Sequence, residues 1–282
     1  MKTLVSLFAI AGLLLHSVPG WTHDLQEMAI IQLKNGRQLS LPEIVEDLKN
    51  VRLVFVGELH TSAEHHEMQL AVIRALAKAG APVAVGLEMF RQGSQKDLDR
   101  WVSAKLSEKD FERIYKENWS HHWHLYRDIF LYARNHQLPM IGLNVSSDIT
   151  GQVASQGFAS LNPEQTGQLE GVTCEVDKAY MDFIRRAFSM HGHGGKDFLH
   201  FCEAQMVWDA AMAVNLVAFL SKHPGFTVVV LAGSGHAWKH GIPAQVRKRS
   251  DLSYRVILPE MAGRAEQGKV SYEDADYLWL TK

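Results

Sequence analysis

The stretch Arg52-Leu53-Val54-Phe55-Val56-Gly57-Glu58-Leu59-His60 decides the fold. Its apolar residues form a short continuous run that stops at a glycine, which is typical of a strand buried on both faces of a parallel sheet. Two chemically competent side chains, Glu58 and His60, follow the run directly. We therefore predict a buried strand whose carboxyl end delivers polar groups to a site.

Comparable apolar runs recur along the chain, at residues 82–87, 139–143, 226–231 and 254–258. Helical patterns separate them, and the first is predicted over residues 63–79, with Gly80 as its stop signal. Strands that alternate with helices need crossover connections, which produce a mostly parallel central sheet flanked by helices. The predicted fold class is therefore α/β.

Two features modify this simple alternation. Asn35-Gly36 lies between two short apolar runs, which predicts an N-terminal β-hairpin that leads into the sheet. Residues 94–137 and 146–221 are longer than a crossover needs, so we expect some of their helices to form a small cap subdomain over the strand ends. No repeat or linker interrupts residues 21–282, which are predicted to form one domain.

The amino terminus resembles a targeting segment. Lys2 precedes an apolar run at residues 4–15 that is too short to span a bilayer, and small residues lead to Gly20. We predict a signal peptide over residues 1–20 and an exported protein, with an uncleaved anchor as the alternative. Because no cysteine lies near that junction, lipid attachment is not predicted. Cys174 and Cys202 could pair in an oxidising compartment, and the sequence leaves this open.

Composition excludes one class of partner. The chain has 29 Lys and Arg against 31 Asp and Glu, a formal net charge of -2, so it lacks the basic footprint of a nucleic-acid binder. Its 15 histidines are the unusual count, since histidine is both a common metal ligand and a proton carrier near neutral pH.

Polar residues follow four of the predicted strands: Glu58 and His60, then Glu88, Asn144 and His236. In open parallel sheets, ligands bind outside the carboxyl ends of the strands, so we expect these groups to converge. His60, Glu88 and His236 could hold a divalent metal with a position left for water. Alternatively, Glu58, His60, Glu88 and His236 could form a metal-free acid–base site in which a carboxylate orients His60. Spacing does not choose between these versions.

Further candidates lie outside the strand ends. Gln205 and Asp209 are four residues apart on one helix face, from which they could orient the site together with Asn144. A glycine-rich loop carries His191 and His193, which could donate ligands to a metal or a haem iron. Three tyrosines are candidate phenolate ligands: Tyr115, Tyr126 and Tyr180. The run at residues 121–126, with Trp119 just before it, has two interpretations: an aromatic cap surface that could donate ligands, or, the one we favour, an amphipathic helix whose Trp123 and Tyr126 lie in the core.

Four sequence blocks together resemble the ChaN-like haem-binding proteins, a family within a superfamily that also contains the Tiki proteases and erythromycin esterases. The blocks are Gly57-Glu58-Leu59-His60, Leu87-Glu88-Met89-Phe90, Ala204-Gln205-Met206-Val207-Trp208-Asp209 with Met212-Ala213, and Gly233-Ser234-Gly235-His236 followed by Gly241-Ile242-Pro243. The resemblance extends over roughly residues 51–259, in matching order.

This resemblance implies a haem-binding protein of iron acquisition, in the periplasm or on the periplasmic face of the outer membrane, that works with the outer-membrane haem-uptake machinery. It further implies haem held between an α/β domain and a helical subdomain, a tyrosine ligand, and a homodimer that stacks two haems. Arg91 is then expected to pair with a haem propionate. Members of the family are often lipoproteins, and the missing cysteine departs from that pattern.

The Tiki and esterase branches imply a different function. Glu58, His60, Glu88 and His236 match their catalytic or metal-binding positions, so a hydrolase, with or without a metal, is the second hypothesis. A third is a periplasmic partner-binding protein in which the polar cluster is only a structural network. Haem binding is the hypothesis we place first.

Overall fold

The computed structural model describes residues 29–187 and 196–281, with the side chain of Lys196 excepted. The predicted signal peptide at residues 1–20 and the candidate ligands His191 and His193 lie outside these ranges. Within them, the strands are β1 (Ile30–Gln32), β2 (Arg37–Leu39), β3 (Leu53–Glu58), β4 (Val83–Arg91), β5 (Met140–Asn144), β6 (Thr227–Gly233), β7 (Tyr254–Pro259) and β8 (Tyr277–Trp279).

The α-helices of the same ranges are α1 (Leu41–Leu48), α2 (Ala63–Lys78), α3 (Gln95–Val102), α4 (Glu108–Asn118), α5 (Trp123–Asn135), α6 (Ser147–Gln156), α7 (Pro163–Gly167), α8 (Lys178–Ala187), α9 (Lys196–Lys222), α10 (Ser234–Ala237) and α11 (Ile242–Arg247). Short 3-10 turns at Gln92–Ser94 and Phe158–Ser160 join some of them.

The described strands form one sheet in the order β2-β1-β8-β7-β3-β6-β4-β5. Neighbours from β8 to β5 run parallel, whereas β1 pairs antiparallel with both β2 and β8. The α/β fold with a mostly parallel sheet and an N-terminal hairpin is thus confirmed. Gly36 adopts a φ of +73° in the hairpin turn, a conformation that favours glycine.

Alternation along β3 divides its side chains between two cores. Val54 and Val56 face one core, which α1, α2, α3, α4 and α5 cover, whereas Leu53 and Phe55 face the other, which α8, α9 and α11 cover. Because each face is apolar and covered, every residue of β3 is buried. A site for polar side chains is therefore available at the ends of the strands and not on the faces of the sheet.

The two long insertions differ in what they cover. Helices α3 to α5 of the first insertion belong to a core on a sheet face, where Trp101 stacks on Phe111 with ring centroids 4.2 Å apart. In the second insertion, Ile149 of α6 and Leu169, just beyond α7, pack against α9 in a separate small core. Residues of the second insertion thus have a small core of their own, and the cap over the strand ends stays a prediction.

Helix α9 connects this small core to the main one. Its segment 197–222 is long and apolar enough to cross a bilayer, with a mean hydropathy of 1.3 over an 18-residue window. However, 61% of that window is buried inside the protein, as expected for a core helix. Cys202 on this helix and Cys174 beside it are free thiols.

Candidate functional site

Three adjacent parallel strands end at the same edge of the sheet and position the site. β6 lies between β3 and β4, and Glu58 at the end of β3 is in register with Gly233 at the end of β6. Glu88 lies near the end of β4, and α10 begins directly after Gly233 and carries His236. Residues far apart in sequence therefore meet because strand order makes their carboxyl ends neighbours.

Glu58 is buried and lies in contact with one tyrosine and two histidines. The Tyr126 hydroxyl donates to Oε1 at 2.6 Å, His60 Nδ1 lies 2.7 Å from the same oxygen, and His66 Nε2 lies 3.0 Å from Oε2. Burial alone would raise the pKa of Glu58, but the contacts with His60 and His66 hold it well below its usual range. Glu58 is therefore an ionised carboxylate that fixes the orientation of the His60 ring.

Tyr126, Glu58 and His60 form a hydrogen-bonded chain that we call a Tyr–carboxylate–His relay. A second relay of the same three residue types reaches the site from α8 and α9. The Tyr180 hydroxyl donates to Asp209 Oδ2 at 2.8 Å, and Asp209 Oδ1 lies 2.7 Å from His236 Nδ1. Burial would lower the pKa of His236, but the carboxylates of Glu88 and Asp209 raise it to about 9. His236 is therefore an imidazolium at neutral pH.

Glu88 lies between the two histidines. Its Oε2 accepts a hydrogen bond from the Gly233 amide at 2.6 Å, and its Oε1 lies 3.8 Å from His236 Nε2. A Cβ atom built on Gly233 would lie 2.8 Å from His60 Cε1 and 3.6 Å from Glu88 Oε2, so both side chains lie against this glycine. Burial lowers the pKa of His60, but Glu58 and Glu88 together raise it above its ordinary value. Two Tyr–carboxylate–His relays thus converge on one carboxylate.

The residues predicted to orient the site play different parts. Asp209 contacts His236 directly, and Asn144 donates from Nδ2 to the backbone carbonyl of Glu88 at 2.9 Å. Gln205 is buried one turn before Asp209 on α9, and its Oε1 accepts no hydrogen bond from the part of the chain that the structure describes.

The three candidate tyrosines are enclosed. Tyr115 is fully buried among aromatic rings, 5.1 Å from Trp123 between centroids, and Tyr126 and Tyr180 donate to carboxylates. Burial is the main cause that raises the pKa of all three phenols above the ordinary value. A phenolate is the form that ligates iron, and the three tyrosines stay predicted ligand candidates.

Arg91 ends β4 and lines a cavity of about 520 Å³ together with Asn144 and Asn215. Its guanidinium donates to the Glu117 carbonyl at 2.7 Å and to Asn118 Oδ1 at 3.1 Å. No carboxylate pairs with it within residues 29–187 and 196–281. The positive charge is therefore held in place and left for an anion.

Sequence reasoning missed one contributor, and it considered two others only as part of a ligand-competent surface. His66 lies in the first turns of α2 and contacts Glu58. Because it is two turns before the buried Ile73, its spacing is that of a core residue of the helix. Trp119 and His121 precede α5 and contact His60, with ring centroids 5.0 and 4.9 Å from its ring. We call His60, Trp119 and His121 the aromatic wall. The helix that follows has Trp123 and Tyr126 buried, in agreement with its interpretation as a core helix.

A metal site is not preformed in the described ranges. No group of three or more His, Cys, Asp or Glu side chains there has an arrangement that could hold a metal ion. His60 and His236 each use Nδ1 on a carboxylate, and His236 Nε2 lies 3.8 Å from Glu88 Oε1. A metal on His60, Glu88 and His236 stays a prediction.

The fold and the site together define an α/β protein with a polar pocket at the carboxyl ends of its parallel strands. A family model described as haem-binding uptake, Tiki superfamily, ChaN matches residues 44–246, and the chain belongs to this family. No curated protein gives a significant match to the sequence.

Solved structures share the fold. ChaN of Campylobacter jejuni, described with cofacial haem binding, superposes with a TM-score of 0.70 at 21% identity over 90% of this chain and 97% of its own. A mutant of the erythromycin esterase EreC in its open conformation superposes with a TM-score of 0.51 at 16% identity over 82% of this chain and 76% of its own. These identities show a common fold and leave function to be argued from the site.

Proposed function

We propose that this protein is an exported haem-binding protein of haem and iron acquisition. The observation that carries the proposal is the match of the haem-binding family model across residues 44–246, which include the strand-end site and Arg91. The Campylobacter jejuni structure of the same fold, with its cofacial haem, supports this ligand class.

The residues present fit such a ligand. Haem is a flat apolar macrocycle with two carboxylates, and the aromatic wall offers ring surface beside the strand ends. Arg91 supplies an anchored cation without a carboxylate partner in the described chain, as a propionate requires. The bound group would bring an iron that needs a protein ligand, for which His191 and His193 remain predicted candidates.

Titration of the purified protein with haemin tests the proposal. We expect a saturable Soret shift, and we expect Arg91→Ala to weaken binding about tenfold because one charge-assisted contact is lost. Arg113→Ala is the matched control, since Arg113 is exposed and forms only a surface ion pair with Glu117 at 2.6 Å. A shift no larger than that of an unrelated protein would refute haem binding.

Export and assembly are separate parts of the proposal. A signal peptide at residues 1–20 predicts periplasmic recovery of the mature protein, which cell fractionation measures. A homodimer that stacks two haems predicts a haemin-dependent increase in mass in sedimentation experiments. Cooperation with the outer-membrane uptake machinery predicts that a deletion strain grows poorly with haem as the sole iron source.

Hydrolysis is the second candidate function, and the convergence of two Tyr–carboxylate–His relays on Glu88 favours it. His236 is protonated at neutral pH and can donate a proton or stabilise negative charge, whereas the partly exposed His60, oriented by Glu58, is the candidate base. Since the raised pKa of His60 protonates it at low pH, turnover should rise with pH as His60 loses its proton.

A panel of esters and peptides tests this candidate. We expect His60→Ala and Glu88→Gln to abolish turnover, with the exposed His124→Ala as a neutral control. Metal analysis of the purified protein distinguishes the metal-dependent version, because a stoichiometric metal should be lost in His60→Ala. No turnover, no metal and a large loss of stability in both site variants would instead indicate a structural network.

A further inference from the structure

We infer that the outer edge of strand β5 can pair with the same strand of a second copy of this chain, and that Gln95 prevents this pairing. β5 (Met140–Asn144) is the last strand of the sheet, and within the described ranges it pairs only with β4. Its other edge lies in a groove of about 420 Å³ that residues of α3 and α9 also line. The inference does not depend on haem binding.

The Gln95 carboxamide occupies hydrogen-bonding groups of this edge. Its Nε2 donates to the Met140 carbonyl at 2.8 Å, and its Oε1 accepts from the Gly142 amide at 3.0 Å. In a parallel ladder, one residue of a neighbouring strand donates to a carbonyl and accepts from the amide two residues further on. The side chain therefore makes the two bonds that one residue of an added strand would make.

Asp99 fixes the orientation of this carboxamide. Gln95 Nε2 also donates to Asp99 Oδ1 at 2.9 Å, one turn further along α3. A carboxamide has two N–H donors, and both are used here, on Met140 and on Asp99, whereas its oxygen receives the Gly142 N–H. The reversed orientation would set an oxygen against a carbonyl and a carboxylate, so Gln95 is held in one arrangement.

A second amide covers β5 from the other wall of the groove. Asn215 of α9 donates from Nδ2 to the Leu143 carbonyl at 2.7 Å. Side chains of α3 and α9 thus bind three backbone groups of a strand of five residues. Covering an exposed edge in this way is a means by which proteins prevent pairing with another chain.

The composition of β5 explains why its edge needs a cover and indicates a second copy as the partner. The strand Met-Ile-Gly-Leu-Asn has no charged side chain, and the groove has one anion, Asp99, and one cation, Lys222, so two copies would not repel each other through a net charge. The opposite edge of the sheet differs. β2 has only three residues, and its Arg37 would repel the Arg37 of a second copy.

Sedimentation velocity of the haem-free protein tests the inference, with the wild type, Gln95→Ala and Gln95→Met. Both substitutions remove the carboxamide, and methionine keeps its length and bulk. We expect both variants to self-associate at least about tenfold more tightly than the wild type, because the Met140 carbonyl and the Gly142 amide are left to pair with another strand. Omitting haem keeps this dimer distinct from the proposed haem-dependent one.

Amide hydrogen exchange at Gly142 provides a readout at the edge itself. At low protein concentration the Gly142 amide should exchange faster in both variants than in the wild type, because its acceptor is lost. At high concentration it should regain protection in the variants, since pairing with a second copy supplies a new acceptor.

The matched control is Gln92→Ala, which removes another glutamine from the same groove. Gln92 is exposed, and its side chain forms no hydrogen bond within residues 29–187 and 196–281, so this variant should sediment as the wild type does. Circular dichroism and thermal unfolding show whether each variant is folded.

Three results would overturn the inference. The first is that folded Gln95→Ala and Gln95→Met associate no more than the wild type at any concentration. The second is a dimer of these variants in which the Gly142 amide stays unprotected, since the interface would then lie elsewhere. The third is equal self-association of Gln92→Ala.

Discussion

Substitution of His236 by glutamine tests whether the buried charge arrangement is as described. His236 Nδ1 lies 2.7 Å from Asp209 Oδ1, and Nε2 lies 3.8 Å from Glu88 Oε1. Burial lowers the pKa of His236, but the two carboxylates outweigh it and raise the pKa to about 9 in the folded protein. In the unfolded chain the pKa is near the ordinary value of about 6.5.

The sign of the pH dependence follows from this difference. Because the folded-state pKa is raised, the folded protein binds the proton more tightly, and the stabilisation is fully present below pH ~6.5. It is lost progressively as pH rises from about 6.5 through about 9. At about 1.4 kcal/mol per pKa unit, a difference of roughly 2.5 corresponds to about 3 kcal/mol.

Urea unfolding across this pH window measures the effect. The wild-type free energy of unfolding should fall by about 3 kcal/mol, and His60, whose pKa is also raised, adds a fall of the same sign. His236→Gln should be less stable at neutral pH and should lose most of the slope, because glutamine does not titrate. The exposed His124→Gln should keep the wild-type slope. Equal slopes in wild type and His236→Gln would refute the charged-histidine assignment.

Three further substitutions probe the site and the fold. Gly233→Ala would place Cβ 2.8 Å from His60 Cε1 and should displace that ring, so the pKa of His60 measured by NMR should fall toward its ordinary value. Tyr180→Phe removes the donor to Asp209 Oδ2 and should cost about 1–3 kcal/mol in urea unfolding, whereas an unchanged midpoint would contradict this contact. Gly36→Ala should lower the thermal midpoint through a strain of about 1 kcal/mol at a φ of +73°, since open space leaves no clash to explain a larger loss.

The sheet could be predicted because its strands carry a strong local signal. β3 is apolar up to Val56, and the other central strands have similarly continuous apolar runs. These runs indicate strands that are buried on both faces of the sheet. β8 was missed because Tyr277–Trp279 has only three residues and joins the sheet through pairing with β7 and β1. Such a strand is defined by its neighbours and has no periodicity of its own.

The site could be predicted only in part for a related reason. Glu58, Glu88 and His236 lie at or just beyond the carboxyl ends of strands, and the rule that parallel strands end at one edge was enough to predict that they lie close together. Tyr126 stays a predicted iron ligand, but the sequence did not indicate its hydrogen bond to Glu58, nor that His121 contacts His60 from a segment between helices. Contacts between a strand end and a helix depend on how α5 packs on the sheet, which one sequence does not specify.

The polar site is more elaborate than a haem-binding site requires. A haem needs an iron ligand and a partner for its propionates, and Arg91 is the residue that we propose for the propionates. The interior holds three buried carboxylates, Glu58, Glu88 and Asp209, and burying charge is costly unless each is paired. Contacts with these carboxylates place the two histidines in different environments. His60 is partly exposed beside aromatic rings, and His236 is enclosed and has a pKa of about 9. Two imidazoles with different proton affinities beside one carboxylate are the groups that the second proposed function, hydrolysis, would use.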